Sequence, residues 1–169
     1  VLFRSRDVRE AILGLRDANH HAERSLEDNL RSYLEAYSAQ SGVSARLANE
    51  VGHEVALSPR AEVHVIRIVQ EALTNVRKHA DARSVLVSIR GTDTSTSFVV
   101  SDDGTGFDPE AATAGGSDGY GLFTMRDRAA LLGGTVQVDS APGRGTTVTA
   151  TVPERPYRSE EHTSELQSH

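Results

Sequence analysis

The chain has 169 residues, with 24 acidic against 18 basic side chains and a formal net charge of −6 at pH 7. That length supports one domain with a substantial core, and the acidic balance argues against a broad surface for nucleic-acid phosphates. With no cysteine and 5% aromatics, disulfides, thiolate chemistry and cysteine zinc sites are excluded, and the core must come mainly from Val, Ile, Leu and Ala.

In chain order, Val1-Leu2-Phe3-Arg4-Ser5 and the stretch Arg158–His169 look like translated sequencing adapter. Residues 1–5 and 158–169 are therefore set aside as tails foreign to the fold. Val8, Ile12, Leu13 and Leu15 fall at helical spacing, so residues 6–17 read as a helix end. Leu26, Leu30, Tyr33, Leu34 and Tyr37 restore a helical stripe that stops at Gly42. Val43 to Leu47 alternates as a strand would.

Ser58-Pro59 reads as an N-cap followed by the first helical residue. The apolar stripe Val65, Ile66, Val69, Leu73, Val76 and Ala80 then marks a long central helix. Val85 to Ile89 and Ser97 to Val100 read as two strands of an antiparallel hairpin. Residues 107–120 hold Gly115, Gly116 and Gly119 and show no periodicity, so a loop is expected. Leu122, Met125, Ala129 and Leu132 mark another helix, ended by Gly133-Gly134. Thr135 to Asp139 and Thr146 to Val152 alternate as strands around the turn Ala141–Gly145. The expected class is α+β, a mixed and mostly antiparallel sheet with helices packed on one face. No apolar run approaches membrane-spanning length and no signal peptide is visible, so a cytoplasmic domain without membrane contact is expected.

The chemistry-bearing residues gather in four places. Glu71 and Asn75 are four apart, and Lys78 and His79 lie three and four beyond Asn75, so all can project from one edge of the central helix. Asn75 offers an amide oxygen to magnesium, which takes oxygen ligands and retains water. Glu71, one turn earlier, could orient a metal-bound water or act as a base, and Lys78 or His79 could neutralise phosphate. Alone, this edge also reads as a solvated polar face.

A strand runs into Asp102-Asp103-Gly104-Thr105-Gly106. A carboxylate at a strand end can accept from the exocyclic amine of adenine, and Gly104 and Gly106 allow close backbone approach. Alone, this also reads as an ordinary glycine turn, and no helix begins there, which excludes a dinucleotide fingerprint. Gly119-Tyr120-Gly121 opens directly into a helix, whose free N–H groups suit a phosphate. Thr146 starts the last strand, where its hydroxyl could support Asp102 or a base edge. The set as a whole suits a magnesium nucleotide.

Ile68–Ala80 closely resembles the asparagine box of bacterial sensor histidine kinases, in particular the nitrate-sensor-like subfamily that signals to LuxR-type response regulators. Val100–Phe107 resembles the first glycine box and Gly119–Ala129 the second. Gly143-Arg144-Gly145-Thr146 with Val152-Pro153 is similar to the closing strand. The resemblance covers roughly residues 6–153. It implies a Bergerat or GHKL-type α/β sandwich, shared with gyrase, Hsp90 and MutL, that binds ATP with magnesium and transfers the γ-phosphate to a histidine.

By that resemblance Asp102 reads the adenine amine and Asn75 holds magnesium against the triphosphate. Residues 107–120 form an ATP lid, with Gly119, Gly121 and Leu122 at its nucleotide end. Glu71 polarises the acceptor imidazole. Residues 18–157 would be the catalytic domain, and residues 6–17 the end of a dimerisation helix in a homodimeric full-length protein. The subfamily's Glu-Leu-His-Asp-like acceptor motif does not occur: His20, His21, His53 and His64 have different neighbours. The chain is therefore expected to bind ATP without phosphorylating itself. An anti-sigma-factor-type serine kinase and a non-catalytic, ATP-gated binding module of the same fold are the alternatives.

Overall fold

The computed structural model describes residues 24–55, 57–114 and 119–154. Helix α1, Leu26–Ser41, starts at Ser25, whose hydroxyl accepts from the Asp28 amide at 3.1 Å, and ends at left-handed Gly42. Its buried stripe is Leu26, Leu30, Leu34 and Tyr37. Strand β1, Ser44–Asn49, follows. Helix α2, Pro59–Asn75, is capped by Ser58, whose hydroxyl accepts from the Ala61 amide at 3.2 Å, and buries Val65, Ile68, Val69, Ala72 and Leu73.

The apolar stripe of α2 runs on to Ala80, but the α-helix does not. Val76–Ala80 is a π-helical turn, ended by left-handed Asp81. The Tyr37 hydroxyl reaches the junction and donates to the Leu73 carbonyl at 3.0 Å, in a buried bond that also ties α1 to α2.

Strands β2, Ser84–Gly91, and β3, Ser95–Asp102, form the expected hairpin. A short helix α3, Pro109–Ala114, corrects the expectation of an unstructured loop over 107–120. Its cause is local: the Asp108 carboxylate accepts from the Glu110 amide at 3.0 Å, and proline suits the first helical position. Residues 115–118, which carry two of the glycines, lie outside the described residues, as do residues 1–23 and 155–169 with the tails and helix end read there. Helix α4, Gly119–Ala130, leads to β4, Thr135–Ser140, and β5, Thr146–Pro153.

The sheet order is β1-β2-β3-β5-β4, with β1 parallel to β2 and every other pair antiparallel. Alternation sends Val85, Val87, Ile89, Phe98, Val100, Val148, Ala150 and Val152 to one face, where they meet the buried stripes of the helices. The other face carries cross-strand hydroxyl pairs, Ser97–Thr151 and Ser101–Thr147, each at 2.9 Å. The architecture is the expected mixed sheet with helices packed on one face. Among the described residues, no helix is long and apolar enough to cross a membrane.

Candidate functional site

One end of the core stays open between α2, its π-turn and the ends of β3 and β5. A cavity of about 160 Å³ lies there, on the scale of a single aromatic ring system. Ala72, Val76, Val100, Val148, Phe107 and Leu122 give it apolar walls, and Asn75, His79, Asp102 and Thr146 contribute polar groups. The pleat explains the floor. Asp102 shares the inward face of β3 with Phe98 and Val100, and Thr146 is its register partner on β5.

Burial pushes the Asp102 carboxyl above the ordinary carboxylate value of 3.8, opposed by hydrogen bonds from the Gly104 and Thr146 amides. The Gly104 bond, to Asp102 Oδ1, is 2.8 Å. A carboxylate held between apolar walls, with little but backbone amides to satisfy it, favours a ligand that brings a donor. Gly106 takes a left-handed φ of 64° where the chain turns out of β3, and it too lines the cavity.

Glu71 stands at the site's edge rather than in the cavity wall. It faces Gly121 in the first turn of α4: a Cβ on Gly121 would lie 2.6 Å from Glu71 Oε1 and 3.5 Å from both amide atoms of Asn75. Gly119 opens the same helix. Lys78 is exposed and is not among the cavity residues. The wider π-turn accounts for this: it gives each residue less rotation than an α-turn, keeping His79 on the Asn75 side and carrying Lys78 off it. The structure thus brings Asn75, His79, Asp102, Gly106, Leu122 and Thr146 to one cavity, with Gly104 behind Asp102 and Glu71 against Gly121.

Three contributors were not singled out from the sequence. Asp103 clamps the start of β2: its carboxylate accepts from the Arg83 amide at 2.8 Å, the Ser84 amide at 2.9 Å and the Ser84 hydroxyl at 2.8 Å. These bonds, those from Ser84 first, hold its pKa below the ordinary value. Ser140, at the end of β4, contacts Phe107, Gly145 and Thr146. Tyr37 supports the helix beneath the site. A strand-end hydroxyl facing a glycine turn was the only available signal for Ser140; Asp103 read as part of the glycine turn.

A family model described as histidine kinase-, DNA gyrase B- and HSP90-like ATPase matches residues 60–156. The chain is 36% identical over 146 residues to the sensor histidine kinase LnrJ of Bacillus subtilis, covering 85% of this chain and 34% of that protein. It is 35% identical over 134 residues to an uncharacterised sensor-like histidine kinase of Chloroflexus aurantiacus, covering 76% and 22%. The chain therefore spans 34% and 22% of the length of those two relatives, about a third or less of each. In fold it is similar to the histidine kinase domain of a blue-light activated histidine kinase from Erythrobacter litoralis, with a TM-score of 0.62 at 21% identity, covering 76% of this chain and 61% of that one. The histidine kinase AdeS of Acinetobacter baumannii gives a TM-score of 0.61 at 14% identity, covering 85% and 75%. With the family match spanning more than half of its length, the chain belongs to the histidine kinase-, DNA gyrase B- and HSP90-like ATPase family.

Proposed function

We propose that this chain is the ATP-binding catalytic domain of a two-component sensor histidine kinase of the nitrate-sensor-like subfamily. In the full-length homodimer it delivers the γ-phosphate of ATP to a histidine on a dimerisation domain, for relay to a LuxR-type response regulator. The observation that carries this reading is the single cavity shared by Asp102, Thr146, Asn75 and His79. Its apolar walls suit a purine, and the half-buried Asp102 carboxylate suits the purine's amine.

Asn75 would supply an amide oxygen to magnesium. No cluster of three or more His, Cys, Asp or Glu side chains able to hold a metal exists among the described residues. Magnesium would complete its shell with phosphate oxygens and water. Bound MgATP supplies the phosphoryl group and the charge neutralisation; the protein's contribution is position and electrostatics. Glu71, which faces Gly121, polarises an acceptor imidazole entering at that edge. His79 offers a ring N–H and Lys78 its ammonium group to phosphates, and Gly119, Gly121 and the segment 107–120 with α3 form the lid. The domain works in the cytoplasm.

ATP binding with and without magnesium tests this in the parent chain, Asp102→Asn and Asn75→Ala. Magnesium-dependent binding by the parent, weakened in both variants, is the expected result. Labelling of a separately made acceptor domain, with none of this chain, completes the test. Binding without transfer would leave an ATP-gated module, and no binding by folded parent chain would remove the kinase reading.

A further inference from the structure

We propose that Ser140 sets the base selectivity of the site, by drawing the hydroxyl proton of Thr146 away from the cavity. The inference rests on the reading of this cavity as a nucleotide-base site. A serine hydroxyl has one proton to donate and two lone pairs to accept with. Ser140 Oγ meets three partners: the Phe107 amide at 2.9 Å, the Gly145 carbonyl at 3.0 Å and Thr146 Oγ1 at 2.9 Å. An amide N–H can only donate and a carbonyl can only accept. Ser140 therefore gives its proton to Gly145 and accepts from Phe107. Its remaining lone pair faces Thr146, so Thr146 is the donor in that pair.

With its proton committed to Ser140, Thr146 Oγ1 presents only lone pairs elsewhere. Thr146 lines the cavity next to Asp102, its register partner across β3 and β5. With Asp102 ionised, the strand floor of the cavity is then made of acceptors. Such a floor favours a ring edge that carries an amine. A 6-oxo ring would set its carbonyl oxygen against acceptors with no proton between them. Ser140 is thus a positioning residue: it touches no base, and it fixes the polarity of a hydroxyl that does. The same atom ties Phe107, the first residue of the lid segment, to the end of β4.

The experiment compares magnesium-loaded ATP with ITP, its 6-oxo counterpart, on the parent chain, Ser140→Ala, Ser140→Thr and Thr146→Val. The parent should prefer ATP. Ser140→Ala frees the Thr146 proton to turn into the cavity, so the ATP-to-ITP affinity ratio should narrow by about tenfold. Ser140→Thr keeps the oxygen and should keep the parent ratio. Hydrogen exchange at the Phe107 amide should be faster in Ser140→Ala alone.

Equal weakening of both nucleotides in Ser140→Ala, or an unchanged ratio, would overturn the proposal. If Ser140→Ala does not fold, Thr146→Val removes the acceptor oxygen from the cavity floor and must narrow the ratio; an unchanged ratio there overturns it as well. A parent that binds ATP without preferring it to ITP defeats this inference alone. A folded parent that binds neither defeats the nucleotide reading and this inference with it.

Discussion

Gly121 and Glu71 approach so closely that a Cβ on the glycine would lie 2.6 Å from Glu71 Oε1. The contact joins the first turn of α4 to the polar edge of α2. The clashing atom is the far end of a flexible side chain, so an alanine can be accommodated by swinging the carboxylate away. Alanine also gains about 1 kcal/mol over glycine in a helix interior, and less near its end. Gly121→Ala is therefore expected to melt at or slightly above the parent temperature. On the proposed function, transfer to an acceptor domain should fall by roughly a hundredfold, the scale of a 1 Å displacement of a positioning group. Melting curves and transfer rates on the same preparation check both halves.

Asp102→Asn separates stability from binding. Burial raises the Asp102 carboxyl above 3.8, so the folded chain holds this proton more tightly than the unfolded chain does. Stability is favoured while the group is protonated, and that advantage is lost as pH rises through the folded pKa. Asparagine carries no such charge. The melting temperature of Asp102→Asn relative to the parent should therefore rise between pH 4 and pH 7. ATP affinity should fall by about tenfold or more, because a hydrogen bond to a charged group contributes about 1.5–3 kcal/mol.

Asp103 should show the opposite pH dependence. Its bonds from Ser84 and Arg83 hold the carboxyl below 3.8, so its contribution is present above that value and lost as pH falls through the folded pKa. Asp103→Ala should melt below the parent at pH 7, and the gap should close as the pH drops below about 4. Faster hydrogen exchange at the Arg83 and Ser84 amides would locate the loss at the start of β2.

Tyr37→Phe removes a buried donor from the Leu73 carbonyl while keeping the ring. The carbonyl retains a contact from the Val76 amide, so the expected cost is about 1 kcal/mol rather than that of an orphaned group. Chemical denaturation should show a lower midpoint with an unchanged slope, since the surface exposed on unfolding is the same.

Much of this protein is local information. The α1 and α2 stripes, the Ser58-Pro59 start, the hairpin and the closing strands follow from periodicity and capping, which nearest neighbours along the chain determine. The residue types around Glu71, Asn75 and Asp102 were equally legible, because each motif is short. Even α3 has a local signal in Asp108-Pro109, though it sits beside glycines that favour a loop.

What only the tertiary structure decided depends on residues meeting from a distance. The parallel pairing of β1 with β2 and the strand order come from burying one shared face, and no single segment carries that information. The exit of Lys78 from the cavity wall follows from a π-turn that apolar spacing did not reveal. Ser140 gains its role because folding brings it to Phe107, 33 residues earlier, and to Thr146 across a turn. Periodicity assigns a side chain to a face; the proton it gives or receives there is decided by partners that only the folded chain assembles.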